Sequence, residues 1–285
     1  EADHVVIMGH RMSDLDAIGS AEGVLRICKI CDVPAVIAVR RDATLAGSLI
    51  NALIAAGQED DFIDPKGALP IISQRTLCIV VDTYQLGLVE SREILEKCGK
   101  VAVIDHHRKG VGFIEKADLV CHEPYASSAS ELVTEFLQYV GDRDDKPNRI
   151  EAEGLLSGIM LDTRDFTLHT GVRTFEAAAA LRRYGAETEH VRQLFDVSMV
   201  EYTTKARLVS EAQMYRGCAI TVSGEVAPEA RVAIAQAAND LLTIQNVEAS
   251  FVAVQVGGGV NISARSLGAV NVQVIMESLG GGGHQ

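Results

Sequence analysis

Three short apolar runs that each end in acidic or histidine residues constrain the fold of this chain most strongly. The runs cover residues 5–8, 77–81 and 101–104. The residues that follow them are His10, Asp14 and Asp16 after the first run, Asp82 after the second, and Asp105, His106 and His107 after the third. Buried parallel strands present functional groups at their carboxyl ends. The pattern therefore predicts that these side chains gather at one edge of a sheet.

Helical patterns alternate with the apolar runs through the first two thirds of the chain. This alternation predicts an α/β fold with a mainly parallel sheet, helices on both faces and right-handed crossovers. The first helix follows Ser13, which we expect to be its N-cap. A length of 285 residues suits two domains better than one.

We place a first domain at residues 1–187, a helical linker at 188–212 and a smaller α/β domain at 213–285. In the smaller domain the pattern predicts one strand over 214–222, a helix over 229–242 and a second helix over 270–279. Between the helices, the apolar runs 251–256 and 260–264 flank a glycine-rich link. This arrangement predicts a β-hairpin.

Composition limits the classes of function. A formal net charge of −13 argues against a binder of long nucleic acids, which needs a cationic surface. No run approaches the ~18 apolar residues of a membrane span, and no signal peptide is recognisable. Six cysteines in 285 residues are not disulfide-dense. We therefore expect a cytoplasmic protein with no membrane segment in this chain.

The clustered residues at the strand ends offer oxygen and nitrogen ligands without a thiolate, which suits Mn²⁺ or Mg²⁺. A lone Asp-His-His triplet is also typical of a hydrogen-bonded loop, so the three strand ends together carry the prediction. Asp162 lies on the apolar face of a helix predicted over residues 150–162. From the residues alone, a salt bridge to Arg164 and a metal site are equally good partners for its carboxylate.

The order of these motifs resembles the DHH phosphoesterase superfamily. The motifs that carry the resemblance are His10-x-x-x-Asp14-x-Asp16, the run ending at Asp82, Asp105-His106-His107, Asp162 within residues 158–163, and Gly280-Gly281-Gly282-Gly283-His284. The last motif resembles the glycine-rich signature of the family's companion C-terminal domain. Within the family, residues 8–20, 263–266 and 271–284 are most similar to bacterial cyclic di-AMP phosphodiesterases, whose full-length members are membrane-anchored.

The resemblance implies a two-metal phosphodiesterase that opens cyclic di-AMP to linear 5′-phosphorylated diadenylate, with two Mn²⁺ ions or Mg²⁺ in their place. It implies that one ion is held by His10, Asp14 and Asp82, and the other by Asp16, Asp82, His106 and Asp162. Asp82 would bridge the ions, and Asp105 would orient an imidazole. We assign His107 to contact with the scissile phosphate or to protonation of the leaving 3′-oxygen.

The resemblance also implies that the second domain binds substrate across a cleft. The implied contacts are Ser263, Arg265, Ser266, Gly281, Gly282, Gly283 and His284. Consecutive glycines allow backbone N–H groups to approach an anion, and Arg265 offers a bidentate fork for phosphate. A glycine run so near the last residue of a chain is equally typical of a flexible tail. A homodimer is a further candidate assembly.

Three alternative functions share part of this pattern. Superfamily enzymes that trim short oligoribonucleotides or hydrolyse 3′,5′-bisphosphonucleosides carry the same metal motifs and the GGGGH signature. Manganese-dependent inorganic pyrophosphatases have a different C-terminal domain without that ending. A non-catalytic nucleotide sensor would lack a metal ligand, whereas every expected ligand position is filled here.

Overall fold

The computed structural model describes residues 2–108, 112–141, 145–196, 198–226, 231–268 and 270–281. The chain divides into two compact units, Glu1–Phe195 and Asp196–Gln285. In the part of the chain that the structure describes, no helix has both the length and the apolar character that a membrane crossing requires.

A six-stranded parallel sheet forms the centre of the first unit. Its strands are β1 (His4–Met8), β2 (Ala35–Ala38), β3 (Phe62–Ile63), β4 (Thr76–Val81), β5 (Lys100–Asp105) and β6 (Leu119–His122). They lie in the order β3-β2-β1-β4-β5-β6, and every neighbouring pair is parallel. The chain moves outward from β1 to β3 and then returns to place β4 against the other side of β1. The predicted mainly parallel α/β fold is confirmed.

Helices cover both faces of this sheet. They are α1 (Leu15–Ile30), α2 (Gly47–Ala55), α3 (Pro65–Ala68), α4 (Arg92–Lys97), α5 (Ala129–Leu137), α6 (Arg149–Asp162), α7 (Val172–Arg183) and α8 (Thr188–Gln193). Alternate residues of β1 to β5 contribute to opposite cores: Ile7 packs with α1, α2 and α6, whereas Val6 packs with α4 on the other face. Burial on both faces explains why the strands are apolar runs without polar alternation.

Glycines bring α1 and α6 into backbone contact. A Cβ atom built on Gly19 would lie 2.3 Å from the carbonyl oxygen of Gly154. One turn further along α6, a Cβ atom on Gly158 would lie 2.6 Å from Asp16 Oδ1. The close approach of the two helices therefore sets Asp16 directly against the turn of α6 that precedes Asp162.

The second unit is a smaller α/β fold with a mixed sheet. Its elements are α9 (Met199–Ser210), β7 (Gln213–Tyr215), β8 (Cys218–Glu225), α10 (Arg231–Leu241), β9 (Ala249–Val256), β10 (Gly259–Ser266) and α11 (Val272–Ser278). The strand order is β10-β9-β8-β7, with β8 and β9 parallel and the outer pairs antiparallel. Ile234 and Ala237 of α10 pack against Val252 and Val254 of β9, which gives this unit its own core.

Two local predictions are wrong, and the hairpin prediction is confirmed. The single strand expected over 214–222 is the hairpin β7–β8, whose turn residues Arg216 and Gly217 both have positive φ, at 49° and 79°. Such a turn suits the twist of a two-residue hairpin, but Asn-Gly or Asp-Gly is its usual signal.

The N-cap of α1 is Asp14 rather than Ser13, because the Asp14 carboxylate accepts the N–H groups of Asp16 and Ala17. β9 and β10 form the predicted glycine-linked hairpin.

Candidate metal centre

The carboxyl ends of β1, β4 and β5 lie side by side at the point where the strand order reverses. Open α/β sheets bind ligands at this position. The sheet therefore brings together the segments that carry His10, Asp82 and the triplet Asp105-His106-His107. α1 adds Asp14 from its N-cap and Asp16 from its first turn, and α6 adds Asp162 from its last turn.

Asp82 lies at the middle of the cluster. Its backbone has φ of 57°, a left-handed conformation that Asp and Asn tolerate better than most residues, and its N–H donates to the carbonyl of Ile104. The carboxylate is buried and points each oxygen toward a different imidazole: Oδ2 is 3.4 Å from His10 Nε2, and Oδ1 is 3.4 Å from His106 Nε2. Asp82 thus belongs to more than one group of ligand atoms.

The first group joins His10, Asp14 and Asp82, whose ligand atoms lie within 4.8 Å of one another. His10 Nε2 is 3.8 Å from Asp14 Oδ1. That oxygen also caps α1, so the positive end of the helix favours the ionised carboxylate. Asp14 is therefore held by its role as the cap of α1, and His10 is held separately by its position after β1.

The second group joins Asp16, Asp82, His106 and Asp162. His106 Nε2 is 3.0 Å from Asp162 Oδ2 and 3.8 Å from Asp16 Oδ2. Asp16 is fully buried, and its two oxygens accept the N–H groups of Ala129 and Ser130 at the start of α5, at 2.7 and 2.8 Å. A helix N-terminus thus stabilises a carboxylate whose burial would otherwise be costly.

Asp105 organises the triplet from within. Its Oδ1 accepts the N–H groups of His106 and His107, at 2.9 and 3.3 Å, and lies 2.8 Å from His107 Nδ1. His107 Nδ1 is also 3.7 Å from Asp82 Oδ1. Asp105 therefore holds the backbone and one ring of the segment, while Asp82 and His106 form a third group of ligand atoms with His107.

The crowding of buried charges shifts the pKa of His10, His106 and Asp162. Burial opposes protonation of His10, but Asp14 and Asp82 outweigh it and raise its pKa to about 10. Burial likewise opposes protonation of His106, and Asp162 and Asp82 raise its pKa to about 12. Burial and the nearby Asp82 raise the pKa of Asp162 to about 6, although His106 opposes this shift. Without metal, imidazolium groups therefore supply the positive charge that the carboxylates need.

The pKa shifts of Asp82, Asp16 and His107 have the same causes. Burial would raise the pKa of Asp82, but contacts with His10 and His106 leave it well below the ordinary value. Burial, Asp82 and Asp162 raise the pKa of Asp16. Burial opposes protonation of His107, yet its bond to Asp105 and the charge of Asp82 raise its pKa.

The residues fit divalent cations. His106 Nε2 and Asp82 Oδ1 are buried atoms without a hydrogen-bond partner in the described part of the chain, although each lies close to other ligand atoms. Buried polar atoms of this kind are normally satisfied, and an ion coordinated by both would satisfy them. Imidazoles among carboxylates suit borderline ions such as Mn²⁺.

The predicted substrate contacts belong to the second unit. Ser263 and Arg265 lie at alternate positions of β10, and Arg265 donates from Nε to Asn239 Oδ1 and from a terminal nitrogen to the carbonyl of Ala264. Ser266 ends the strand and accepts the N–H of Gly268. Gly281 follows α11, with its N–H donating to the carbonyl of Met276. Gly282, Gly283 and His284 lie outside the described residues.

Two side chains that the sequence did not single out contact the triplet segment. His122 Nε2 donates to the carbonyl of His107 at 2.5 Å, and the Tyr84 hydroxyl donates to the carbonyl of Arg108 at 2.7 Å. Their places in the chain are the one sequence signal that could have indicated these contacts: Tyr84 follows Asp82 by two residues, and His122 ends β6.

Comparisons with known proteins agree with this geometry. The model of the DHH family N-terminal domain matches residues 4–159, and that of the DHHA1 domain matches residues 226–285. The cyclic-di-AMP phosphodiesterase GdpP of Geobacillus thermodenitrificans is 46% identical over 289 residues, and the cyclic-di-AMP phosphodiesterase PdeA of Listeria monocytogenes is 42% identical over 289 residues. Each match covers 100% of this chain and 44% of the relative, so the chain spans less than half of their length.

A solved structure supports the fold. An exopolyphosphatase-related protein from Bacteroides fragilis superposes with a TM-score of 0.83 at 21% identity, over 100% of this chain and 85% of that protein.

Proposed function

Because this chain belongs to the DHH family and carries a DHHA1 domain, we propose that it hydrolyses one phosphodiester bond of cyclic di-AMP and releases linear 5′-phosphorylated diadenylate. One observation carries the proposal: two relatives that match the whole chain at 46% and 42% identity are named cyclic-di-AMP phosphodiesterases. The metal centre supports it, since both groups of ligand atoms are complete in this sequence.

His10, Asp14 and Asp82 would hold one divalent cation, and Asp16, Asp82, His106 and Asp162 would hold a second. When bound, such ions supply an acidified water and positive charge for the phosphoryl oxygens. We propose Mn²⁺ with Mg²⁺ as the weaker substitute, because the imidazoles make the ligand set softer than an all-oxygen cage.

Asp82 would belong to both ion sites. The support for this role is its orientation, because its two oxygens lie 3.4 Å from the imidazoles of two different groups. Its burial and its distinct backbone conformation keep the carboxylate in that orientation before any ion binds.

His107 would act on the substrate and Asp105 would orient its ring, and neither would hold metal. Because Asp105 Oδ1 lies 2.8 Å from His107 Nδ1, we assign His107 Nε2 to the scissile phosphate or to the leaving 3′-oxygen. Asp105 would fix the tautomer and orientation of that ring.

The second unit would contribute substrate contacts. We propose Arg265 as a phosphate ligand whose guanidinium is oriented by Asn239, with Ser263, Ser266 and Gly281 as further substrate contacts. Gly282, Gly283 and His284 complete this proposed set from outside the described residues. The cytoplasmic location and the homodimer stay predictions.

A turnover assay tests the function. The chain, stripped with chelator and restored with Mn²⁺, should convert cyclic di-AMP to linear diadenylate, while the Asp82→Asn protein should not. Linear diadenylate is the comparison substrate. Much faster cleavage of the linear substrate would favour the oligonucleotide-trimming alternative, and tight binding of cyclic di-AMP without turnover would favour a sensor.

A further inference from the structure

The Asp-His-His segment is held on its outer side by two ring side chains. His122 Nε2 donates to the carbonyl of His107 at 2.5 Å, and the hydroxyl of Tyr84 donates to the carbonyl of Arg108 at 2.7 Å. The two rings also contact each other edge-on, with centroids 5.7 Å apart and planes at 83°. Two consecutive carbonyl groups are therefore bound by one connected pair of side chains.

Each member of the pair is anchored to a different part of the sheet. Tyr84 is 5% exposed and packs in the core beneath β4 and β5, and its carbonyl accepts the N–H of Ile114. His122 is the last residue of β6, where it pairs with Asp105, and the N–H of the next residue donates to the Asp105 carbonyl. The Tyr84 ring is thus held by the core and by the backbone bond to Ile114, and the His122 ring by its place at the end of β6.

The carboxylate of Asp105 also holds the segment. Its Oδ1 accepts the N–H groups of His106 and His107 and lies 2.8 Å from His107 Nδ1. The carbonyls of His107 and Arg108 instead accept hydrogen bonds from His122 Nε2 and the Tyr84 hydroxyl, respectively. Restraint on both sides leaves the His107 backbone little freedom to rotate.

We propose that Tyr84 and His122 are positioning residues that clamp the His107 and Arg108 carbonyls and so aim the His107 ring at the reacting phosphate. This inference rests on the proposed function, because it assigns the clamp to the same site. Groups that orient a residue contacting the reacting atoms change activity typically by 10-fold to 100-fold when removed. The clamp acts on His107 and Arg108 and not on the residues of the two proposed ion sites. It should therefore affect turnover more than metal binding.

The first measurement does not depend on activity. In chelator-treated protein, amide hydrogen exchange of His106 and His107 should be faster in Tyr84→Phe and in His122→Leu than in wild type, by roughly 5-fold, as expected for the loss of one hydrogen bond. Tyr139→Phe is the matched control, since Tyr139 is 90% exposed and lies outside the site. Wild-type exchange in both clamp variants would overturn the proposal.

The second measurement separates positioning from structure. With Mn²⁺ restored, Tyr84→Phe and His122→Leu should lower kcat for cyclic di-AMP by roughly 10-fold to 100-fold, with KM, bound metal and Tm close to wild type. His122→Gln keeps an N–H donor at similar reach and should recover most of the kcat. Equal losses of kcat, bound metal and Tm would mean a structural role, and failure of His122→Gln to recover more than His122→Leu would exclude the hydrogen bond as the cause.

The two proposals fail differently. If wild type does not turn over cyclic di-AMP, the proposed function is wrong, whereas the exchange rates of His106 and His107 still decide whether the clamp exists. If wild type is active and the clamp variants match it in both measurements, the function stands and the clamp is wrong.

Discussion

Asp82 lies close to the imidazoles of His10, His106 and His107, so a single substitution there reaches every group of ligand atoms. We predict that Asp82→Asn lowers kcat/KM for cyclic di-AMP by roughly 10³-fold, more than Asp14→Asn or Asp162→Asn. Asn is the appropriate replacement because it keeps the shape and tolerates the positive φ of 57°.

The measurement is kcat/KM with bound metal counted at saturating Mn²⁺. Asp14→Asn and Asp162→Asn serve as controls, because each belongs to one of the two ion groups only. An Asp82→Asn protein that keeps both substantial turnover and two bound ions would exclude the bridging role.

The sequence predicted the ligand candidates because each one follows an apolar run or lies on an apolar helix face. The residues that hold them have no such local signal. His122 contacts a carbonyl 15 residues earlier, and Tyr84 contacts one 24 residues later, so only the pairing of β4, β5 and β6 brings them to the segment. The sequence predicts Ser13 as the N-cap of α1 where the structure has Asp14, because both residue types cap helices well and local preference does not separate them.

At the level of elements, the contact between α1 and α6 determines where Asp16 lies. We predict that Gly158→Ala destabilises the protein by about 1–3 kcal/mol and weakens metal binding. The reason is that its Cβ would lie 2.3 Å from Ser130 Oγ and 2.6 Å from Asp16 Oδ1. Asp16 and the start of α5 would both have to move away from α6.

Gly154→Ala is the matched control on the same helix. Its Cβ would lie 3.3 Å from the end of the Leu49 side chain and at an ordinary van der Waals distance of 3.9 Å from Gly19 Cα. Ala is also better in a helix than Gly by roughly 0.5–1 kcal/mol. Urea denaturation and Mn²⁺ titration of both variants test the prediction. Equal stability and equal metal affinity of the two would show that Gly158 is not needed for the centre.

Glu22 on α1 gives the folded state a pH dependence that is separate from the metal ligands. Its side chain is fully buried, and neither carboxylate oxygen has a hydrogen-bond partner within the described residues. Burial, Asp61 and Glu151 raise its pKa from 4.5 to about 8, against the opposing charges of Lys29 and Arg26. The folded state therefore retains this proton at a pH where the unfolded state has lost it.

The sign follows from that difference in bound protons. Below pH 4.5 Glu22 is protonated in both the folded and the unfolded state, and its stabilising contribution is complete. Between pH 4.5 and about 8 that contribution to the free energy of unfolding is lost at about 1.4 kcal/mol per pH unit. We predict that the stability of Glu22→Gln relative to wild type rises over this window and is level above it. Urea denaturation with chelator present measures the difference, and Glu93→Gln, an exposed helical substitution, is the control. A difference that does not change with pH would show that Glu22 is ionised in the folded protein.

On the scale of the whole molecule, the sequence predicted the parallel sheet because strands and helices alternate along the chain. Buried strands and amphipathic helices are distinguishable there because their apolar residues recur with different periods. The split of residues 213–222 into β7 and β8 was missed, because Arg216 and Gly217 adopt a turn conformation that the sequence does not specify strongly. The strand order could not be predicted either. It depends on which strand β4 pairs with after the chain leaves β3, and that choice is made by packing on both faces of the sheet.

The distribution of ligands between the two units predicts how metal acts on stability. Every residue assigned to the ions lies between His10 and Asp162, within Glu1–Phe195, whereas Asp196–Gln285 has a separate core around α10 and β9. A ligand that binds only the folded first unit stabilises that unit, by about 2.7 kcal/mol at a free concentration 100 times Kd. For a unit of this size, that free energy corresponds to a rise in Tm of roughly 5–10 °C.

We therefore predict that Mn²⁺ raises the unfolding transition of the first unit and leaves that of the second unchanged. Calorimetry with Mn²⁺ or chelator gives the transitions, and hydrogen exchange assigns them, with β5 reporting on the first unit and β9 on the second. Asp82→Asn should abolish the shift, since it removes the carboxylate common to both groups, while Glu93→Gln should retain it. If β5 and β9 gained equal protection from Mn²⁺, the two units would unfold together, and the metal would stabilise the whole chain instead of the unit that binds it.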